Sequence, residues 1–280
     1  MKKILTTLAF VMLGITTTFA NAGKQLHTAP TSPASNLTFN NIEGNKMRIE
    51  WQNGNGSRRI VIARKTSMVT ATPVNGVEYN ADAVFGEGSE IAKGTFVVYN
   101  GNGNSVTLTE LLANSSYYFA VYEYNGTGSS TEYIKTALTG NKPTLAAPSF
   151  PPIGVSVSNI KPHSMTLSWN DDLLTGSGRI VLVKADSKVD ADPVDLQDYT
   201  ASKRVGAGSQ IGNGNFVIYQ GAGNSVTIEE LELNTTYHFA IYEFNGTADG
   251  KVYNVSKPVR INASNSVKPA KKVAVTTKEK

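Results

Sequence analysis

From residue 46 to 52 (KMRIEWQ) apolar and polar side chains alternate, placing Met47, Ile49 and Trp51 on one face of an extended segment. Residues 117–125 repeat the alternation with aromatics. Tyr117, Phe119 and Val121 fall on one face, and Tyr118, Ala120 and Tyr122 on the other. Short apolar runs punctuated by Gly and Asn lie between them, and no stretch keeps a helical period. The pattern predicts strands at 36–42, 46–52, 59–64, 96–99, 105–111, 117–125 and 132–138, an all-β arrangement. Residues 65–95 show little periodicity and carry Pro73, Gly76, Gly86, Gly88 and Gly94. A structureless loop of that length is uncommon in a compact domain, so this segment is expected to lie ordered across the sandwich.

The pattern occurs twice. Residues 96–126 (FVVYNGNGNSVTLTELLANSSYYFAVYEYNG) return as 216–246 (FVIYQGAGNSVTIEELELNTTYHFAIYEFNG) at a constant offset of 120. A repeat of this length is a whole domain rather than a solenoid unit. Trp169 matches Trp51 at an offset of 118, which puts a two-residue insertion in the turn at 171–178. The expected organisation is a leader at 1–22, a flexible lead-in at 23–35 and a first domain at 36–141. A short, stiff Pro-rich connector leads to a second domain at 148–265, and a basic, disordered tail follows at 266–280.

The leader follows from Lys2 and Lys3, an apolar run from 4 to 19 and Ala20-Asn21-Ala22, the form of a secretory signal. The competing reading, a retained anchor, is disfavoured because the run is short for a bilayer. The chain is therefore expected to be secreted, or to lie in the periplasm or at the cell surface, with no transmembrane segment after cleavage. It contains no cysteine, so each domain must be held by its own apolar core. Absent disulfides favour a bacterial exported protein over an animal one. The formal net charge of +4 comes from the leader and tail lysines, which leave the domains slightly acidic. Nucleic acid is accordingly not an expected partner.

Trp51 and the run Leu111-x-Ala113-x-Ser115-x-Tyr117-x-Phe119-x-Val121 resemble the fibronectin type III family. So do Trp169 and Leu231-x-Leu233-x-Thr235-x-Tyr237-x-Phe239-x-Ile241. The resemblance implies tandem immunoglobulin-like β-sandwiches with each Trp in a core. It also implies tyrosine corners at Tyr117 and Tyr237, whose hydroxyls bond upstream backbone. The Gly-rich segment and the A-V-Y-E-Y-N-G ending resemble a subtype found as tandem modules in secreted Gram-negative bacterial proteins. Ala113-Asn114 and Leu233-Asn234 stand where that family usually has Pro-Gly.

Catalytic chemistry finds little support. His27, His163 and His238 occupy unrelated positions in the two copies, and no zinc-ligand spacing occurs. Glu123 and Glu243 are the only carboxylates repeated inside the aromatic signature, and each is expected to pair with a Lys or Arg of a neighbouring strand. Gly86-x-Gly88 and Gly101-x-Gly103 lack the following helix that a phosphate loop needs. Asp171-Asp172 and Asp190-x-Asp192 read as solvated turns, because the first copy lacks them. No catalytic residue, cofactor or metal is assigned.

The candidate ligand contacts are Tyr118, Tyr122 and Tyr124 with their counterparts His238, Tyr242 and Phe244. Exposed, such a row would stack on sugar rings or anchor a protein. Burial under residues 65–95 is the favoured alternative. The expected function is a non-catalytic interaction, adhesion or spacer protein with an unknown protein or polysaccharide ligand. Carbohydrate binding is the second reading, and an unrecognised hydrolase the third.

Overall fold

The computed structural model describes residues 27–171 and 176–266; the leader and nearly all of the tail lie outside these. The first module contains β1 (Ser35–Asn40), β2 (Met47–Gln52), β3 (Arg58–Lys65), β4 (Glu90–Ala92), β5 (Thr95–Gly101), β6 (Ser105–Leu108), β7 (Ser116–Asn125), β8 (Glu132–Tyr133) and β9 (Leu138–Pro143). The second contains β10 (Ser156–Lys161), β11 (Ser164–Ser168), β12 (Gly178–Ala185), β13 (Gln210–Ile211), β14 (Asn215–Gly221), β15 (Ser225–Glu229), β16 (Thr236–Asn245), β17 (Val252–Tyr253) and β18 (Val259–Ser264).

Each module is a sandwich. A three-stranded sheet, β1-β2-β6 or β10-β11-β15, packs on a six-stranded one. In the larger sheet β7 pairs with β3 on one side and with β8 and β9 on the other, and β16 does the same with β12, β17 and β18. All pairings between these strands are antiparallel. The protein is thus all-β, with two immunoglobulin-type sandwiches in tandem.

The alternation read from the sequence explains the inner core. Met47, Ile49 and Trp51 from β2 meet Val61 and Ala63 from β3 and Tyr117, Phe119 and Val121 from β7. Trp51 packs edge-on to Tyr99, and Trp169 packs likewise on Tyr219. The tyrosine corners are present: the Leu112 N–H donates to the Tyr117 hydroxyl and the Glu232 N–H to the Tyr237 hydroxyl, each at 2.9 Å. Asn114 and Asn234 adopt left-handed backbone conformations (φ 50° and 56°), which asparagine tolerates better than most residues, so the turn forms without the usual glycine.

Residues 66–94 form a third layer over the outer face of the large sheet. Val69, Tyr79 and Ile91 pack on Ile60, Ile62, Val97, Ala120, Tyr122 and Tyr124. The backbone is tied down as well: Asp82 N–H donates to Val97 O (3.2 Å) and Val97 N–H to Ser89 O (3.0 Å). The second copy repeats this through Ser202, Val217 and Ser209. At Gly88 a Cβ would lie 1.9 Å from the Val97 carbonyl oxygen, and at Gly208 2.0 Å from that of Val217. Only glycine lets the layer lie so close to the strand.

Two boundaries differ from expectation. The closing strand is Leu138–Pro143, beyond the expected end at Asn141, and the expected 132–138 strand is split between Glu132–Tyr133 and the start of the closing strand at Leu138. The lead-in is not loose over its described part. Pro30 and Ala34 are buried, the Thr31 and Ser32 N–H groups donate to Asn55 Oδ1, and Asn125 Nδ2 donates to Thr28 O. Unsatisfied polar groups on the β2–β3 turn and at the end of β7 recruit it. Residues 23–26 lie outside the described residues, as does the tail beyond Ser266.

Candidate functional site

Four of the six aromatic candidates are not available to a ligand as a solvent-facing row. Tyr124, Tyr242 and Phe244 are buried, and Tyr122 is 6% exposed. Their strands carry apolar residues on both faces because the third layer demands a second apolar surface. Tyr118 and His238 alone are half-exposed. They sit at equivalent clefts of about 210 Å³ between β7 and β9 and between β16 and β18. Met68 and Tyr118 line the first cleft, whereas Lys188, His238 and Arg260 line the second.

The repeated carboxylates are structural. Glu123, fully buried, accepts from Arg59 Nε (3.2 Å) and Nη2 (2.9 Å) and from the Gly54 and Gly56 N–H groups (3.0 and 3.1 Å). Arg59 Nη1 continues to Asn102 O (2.6 Å), so one ion pair ties two turns to the strands. Glu243 accepts from Arg179 Nε (2.9 Å) and the Gly176 N–H (2.9 Å), and Arg179 also reaches Asp171 (2.8 Å). Burial pushes the Glu243 carboxyl above its ordinary value, while Arg179 pulls the other way. The expected pairing with a neighbouring-strand cation is therefore found, with β3 and β12 as the donors.

The histidines stand apart from one another. His27 lies beside Gly126 in the lead-in, His163 Nδ1 bonds Leu231 O in a turn, and His238 lies in a strand. Among the described residues no group of three or more His, Cys, Asp or Glu is placed to hold a metal ion, and no helix is long and apolar enough to cross a membrane.

A feature not foreseen in the sequence is the joint between modules. The β1–β2 turn of the first module docks on the 247–250 turn of the second. Glu43 accepts from the Thr247 N–H (2.9 Å) and hydroxyl (2.7 Å), and Lys46 pairs with Asp249 (3.0 Å). Asn45 Nδ2 donates to Asp249 O (3.1 Å), and Gly44 N–H donates to Gly250 O (3.0 Å). The connector fixes the same contact from the side: Leu145 N–H donates to Glu43 O, and Asn245 Nδ2 donates to Ala146 O. The Lys46 ammonium holds the Asp249 carboxyl below its ordinary value, through its hydrogen bond first and its charge second. A signal was available: the other copy has Lys161 for Glu43, Pro162 for Gly44, Ser129 for Asp249 and Ser130 for Gly250.

No family model matches the chain, and no curated protein does. Among solved structures it is similar to a two-domain fibronectin type III segment of chicken tenascin, at 14% identity and a TM-score of 0.30, covering 84% of this chain and 99% of that one. It is also similar to the FN1–FN3 domains of chicken CNTN1, at 14% identity and a TM-score of 0.32, over 85% of this chain and 69% of that one. A redesigned β-sandwich protein matches 42% of this chain over 98% of its own length, at 20% identity and a TM-score of 0.29.

Proposed function

We propose that this chain is a non-catalytic, exported interaction or spacer protein that holds two sandwich modules at a fixed separation, in an adhesive or scaffolding role at the cell surface. The joint is the observation that carries this reading. Two modules on a merely flexible connector would have no use for a carboxylate, an ion pair and a backbone–backbone hydrogen bond between their ends. The default for a small inter-domain contact is relative motion, and directed polar contacts work against it. Export rests on the leader pattern at 1–22 and the absence of cysteine. The absorption of Glu123 and Glu243 into buried ion pairs removes the best-placed carboxylates from any general acid–base role.

The test is small-angle X-ray scattering and residual dipolar coupling on residues 23–280. A single inter-module orientation is expected; a broad distribution of orientations would remove the spacer role. A panel of glycoside and peptide substrates run alongside should show no turnover, and turnover abolished by a point substitution would make the protein an enzyme.

A further inference from the structure

An opening with built chemistry lies in the first module, where the lead-in, the third layer and β8 meet over β7. It encloses about 550 Å³, within the range of small-ligand sites, and is lined by Ala29, Thr72, Pro73, Tyr122, Glu132 and Lys135, among others. Tyr122 is 6% exposed, and its hydroxyl, which is not sealed from solvent, makes no hydrogen bond with any described residue. A phenol that lines an opening with no protein partner is available to a ligand. Its twin has a partner: the Tyr242 hydroxyl donates to Asp192 (2.7 Å), and Asp192 also takes Arg260 (3.3 Å). The first module has Thr72 at the Asp192 position and Thr139 at the Arg260 position, so no carboxylate reaches Tyr122 from there.

The rest of the wall differs in the same sense. Glu132 and Lys135 stand where the second copy has Val252 and Val255. Glu132 bonds Asn75 through Oε2, and Asn75 Oδ1 accepts the Tyr133 N–H, so the carboxylate is held in place with Oε1 left to accept from a ligand. Pro73, Ile134 and the Tyr133 ring add apolar wall.

We propose that this opening binds one sugar residue of a neutral glycan. Carboxylate and ammonium cancel in charge, which disfavours an ionic ligand. The phenol, carboxylate and ammonium together supply donors and acceptors for several hydroxyls, and the apolar wall takes the aliphatic face of a pyranose. The inference goes beyond the spacer reading and does not depend on the joint.

The experiment is a titration of residues 23–280 with glucose, galactose, mannose, N-acetylglucosamine, their disaccharides and glucuronic and galacturonic acids, followed by calorimetry and by NMR shifts. Saturable binding of at least one sugar is expected, with shifts at Tyr122, Glu132 and Lys135. Tyr122→Phe removes only the hydroxyl and should cost about tenfold in affinity, the scale of one well-placed hydrogen bond, with circular dichroism unchanged. Glu132→Gln should weaken binding comparably, and Tyr242→Phe in the other module should leave it alone. Absence of saturable binding across the panel would overturn the site, as would binding that Tyr122→Phe and Glu132→Gln leave intact. Binding of uronic acids in preference to neutral sugars would overturn the assignment of ligand class.

Discussion

The base of the first module and the base of the second are the same turn in two states of use. In the first, Glu43, Gly44, Asn45 and Lys46 are committed to the neighbouring module. In the second, the corresponding Lys161, Pro162, His163 and Ser164 face no module among the described residues. Ile160 there is half-exposed, whereas Ile42 packs against its core. The interiors differ far less: Met47 and Met165, Trp51 and Trp169, Tyr117 and Tyr237 hold matching places. Duplication has kept what closes a sandwich and changed what one sandwich offers another. Proline at 162 has no N–H to give, and lysine at 161 reverses the charge that grips Thr247, so the same contact does not propagate into a longer row.

The shared interior should respond in both modules, and most strongly in the first. Glu123→Ala removes the carboxylate from the buried Arg59, and Glu243→Ala removes it from Arg179, which keeps its pair with Asp171. The first should cost about 3–5 kcal/mol in the stability of its module and the second less, measured by urea unfolding with a tryptophan probe in each half. A loss at Glu243 as large as that at Glu123 would mean that Asp171 does not support Arg179.

The unshared surface should respond only at the joint. A Cβ at Gly250 would lie 2.6 Å from Glu43 Cβ, so Gly250→Ser, the residue found at the equivalent position 130, should open the joint. Scattering should then show a longer, more variable particle, while both unfolding midpoints hold within about 0.5 kcal/mol. A particle of unchanged shape would show that the connector alone sets the geometry.

The smallest effect is electrostatic. Because the Asp249 carboxyl is held below its ordinary 3.8, the ion pair helps the joint at neutral pH, and its help is lost as pH falls through that lowered value. The pair is exposed, so its contribution is on the order of 0–1 kcal/mol and weakens in salt. Lys46→Ala should reproduce at pH 7 part of the loosening expected in the parent as pH falls through that lowered value, and should remove that pH dependence. A joint equally pH-dependent in the variant would show that this ion pair is not the source.

Local pattern made the two-sandwich frame legible. Period-two alternation at 46–52 and 117–125 and the duplication itself were enough to place strands, tryptophans and tyrosine corners. The covering layer was legible from residues 65–95 themselves, too long to be a structureless loop in a compact domain. Strand ends were less so: Gly140, Asn141, Lys142 and Pro143 carry no strand preference, and only pairing with β7 extends them. The lead-in was misjudged because its order comes from side-chain amides of Asn55 and Asn125, contacts that composition does not record. The sugar cleft was hidden for a different reason. Tyr122 and Tyr242 are the same residue in the same strand position, and what separates them is Asp192, which lies 50 residues away.

Glu43 and Thr247 are 204 positions apart, so their bond closes nearly the whole described chain into one circuit. A polypeptide emerging from its N-terminus can complete the first sandwich while the residues that will cover its base do not yet exist. Domains generally fold as units in the order they appear. For that interval Glu43, Gly44 and Lys46 are open to water or to a chaperone, and the joint becomes a late event that registers arrival of the second module. A chain stopped short of residue 247 would carry a sound first sandwich with its docking groups still vacant, distinguishable from the finished protein by anything that recognises that turn.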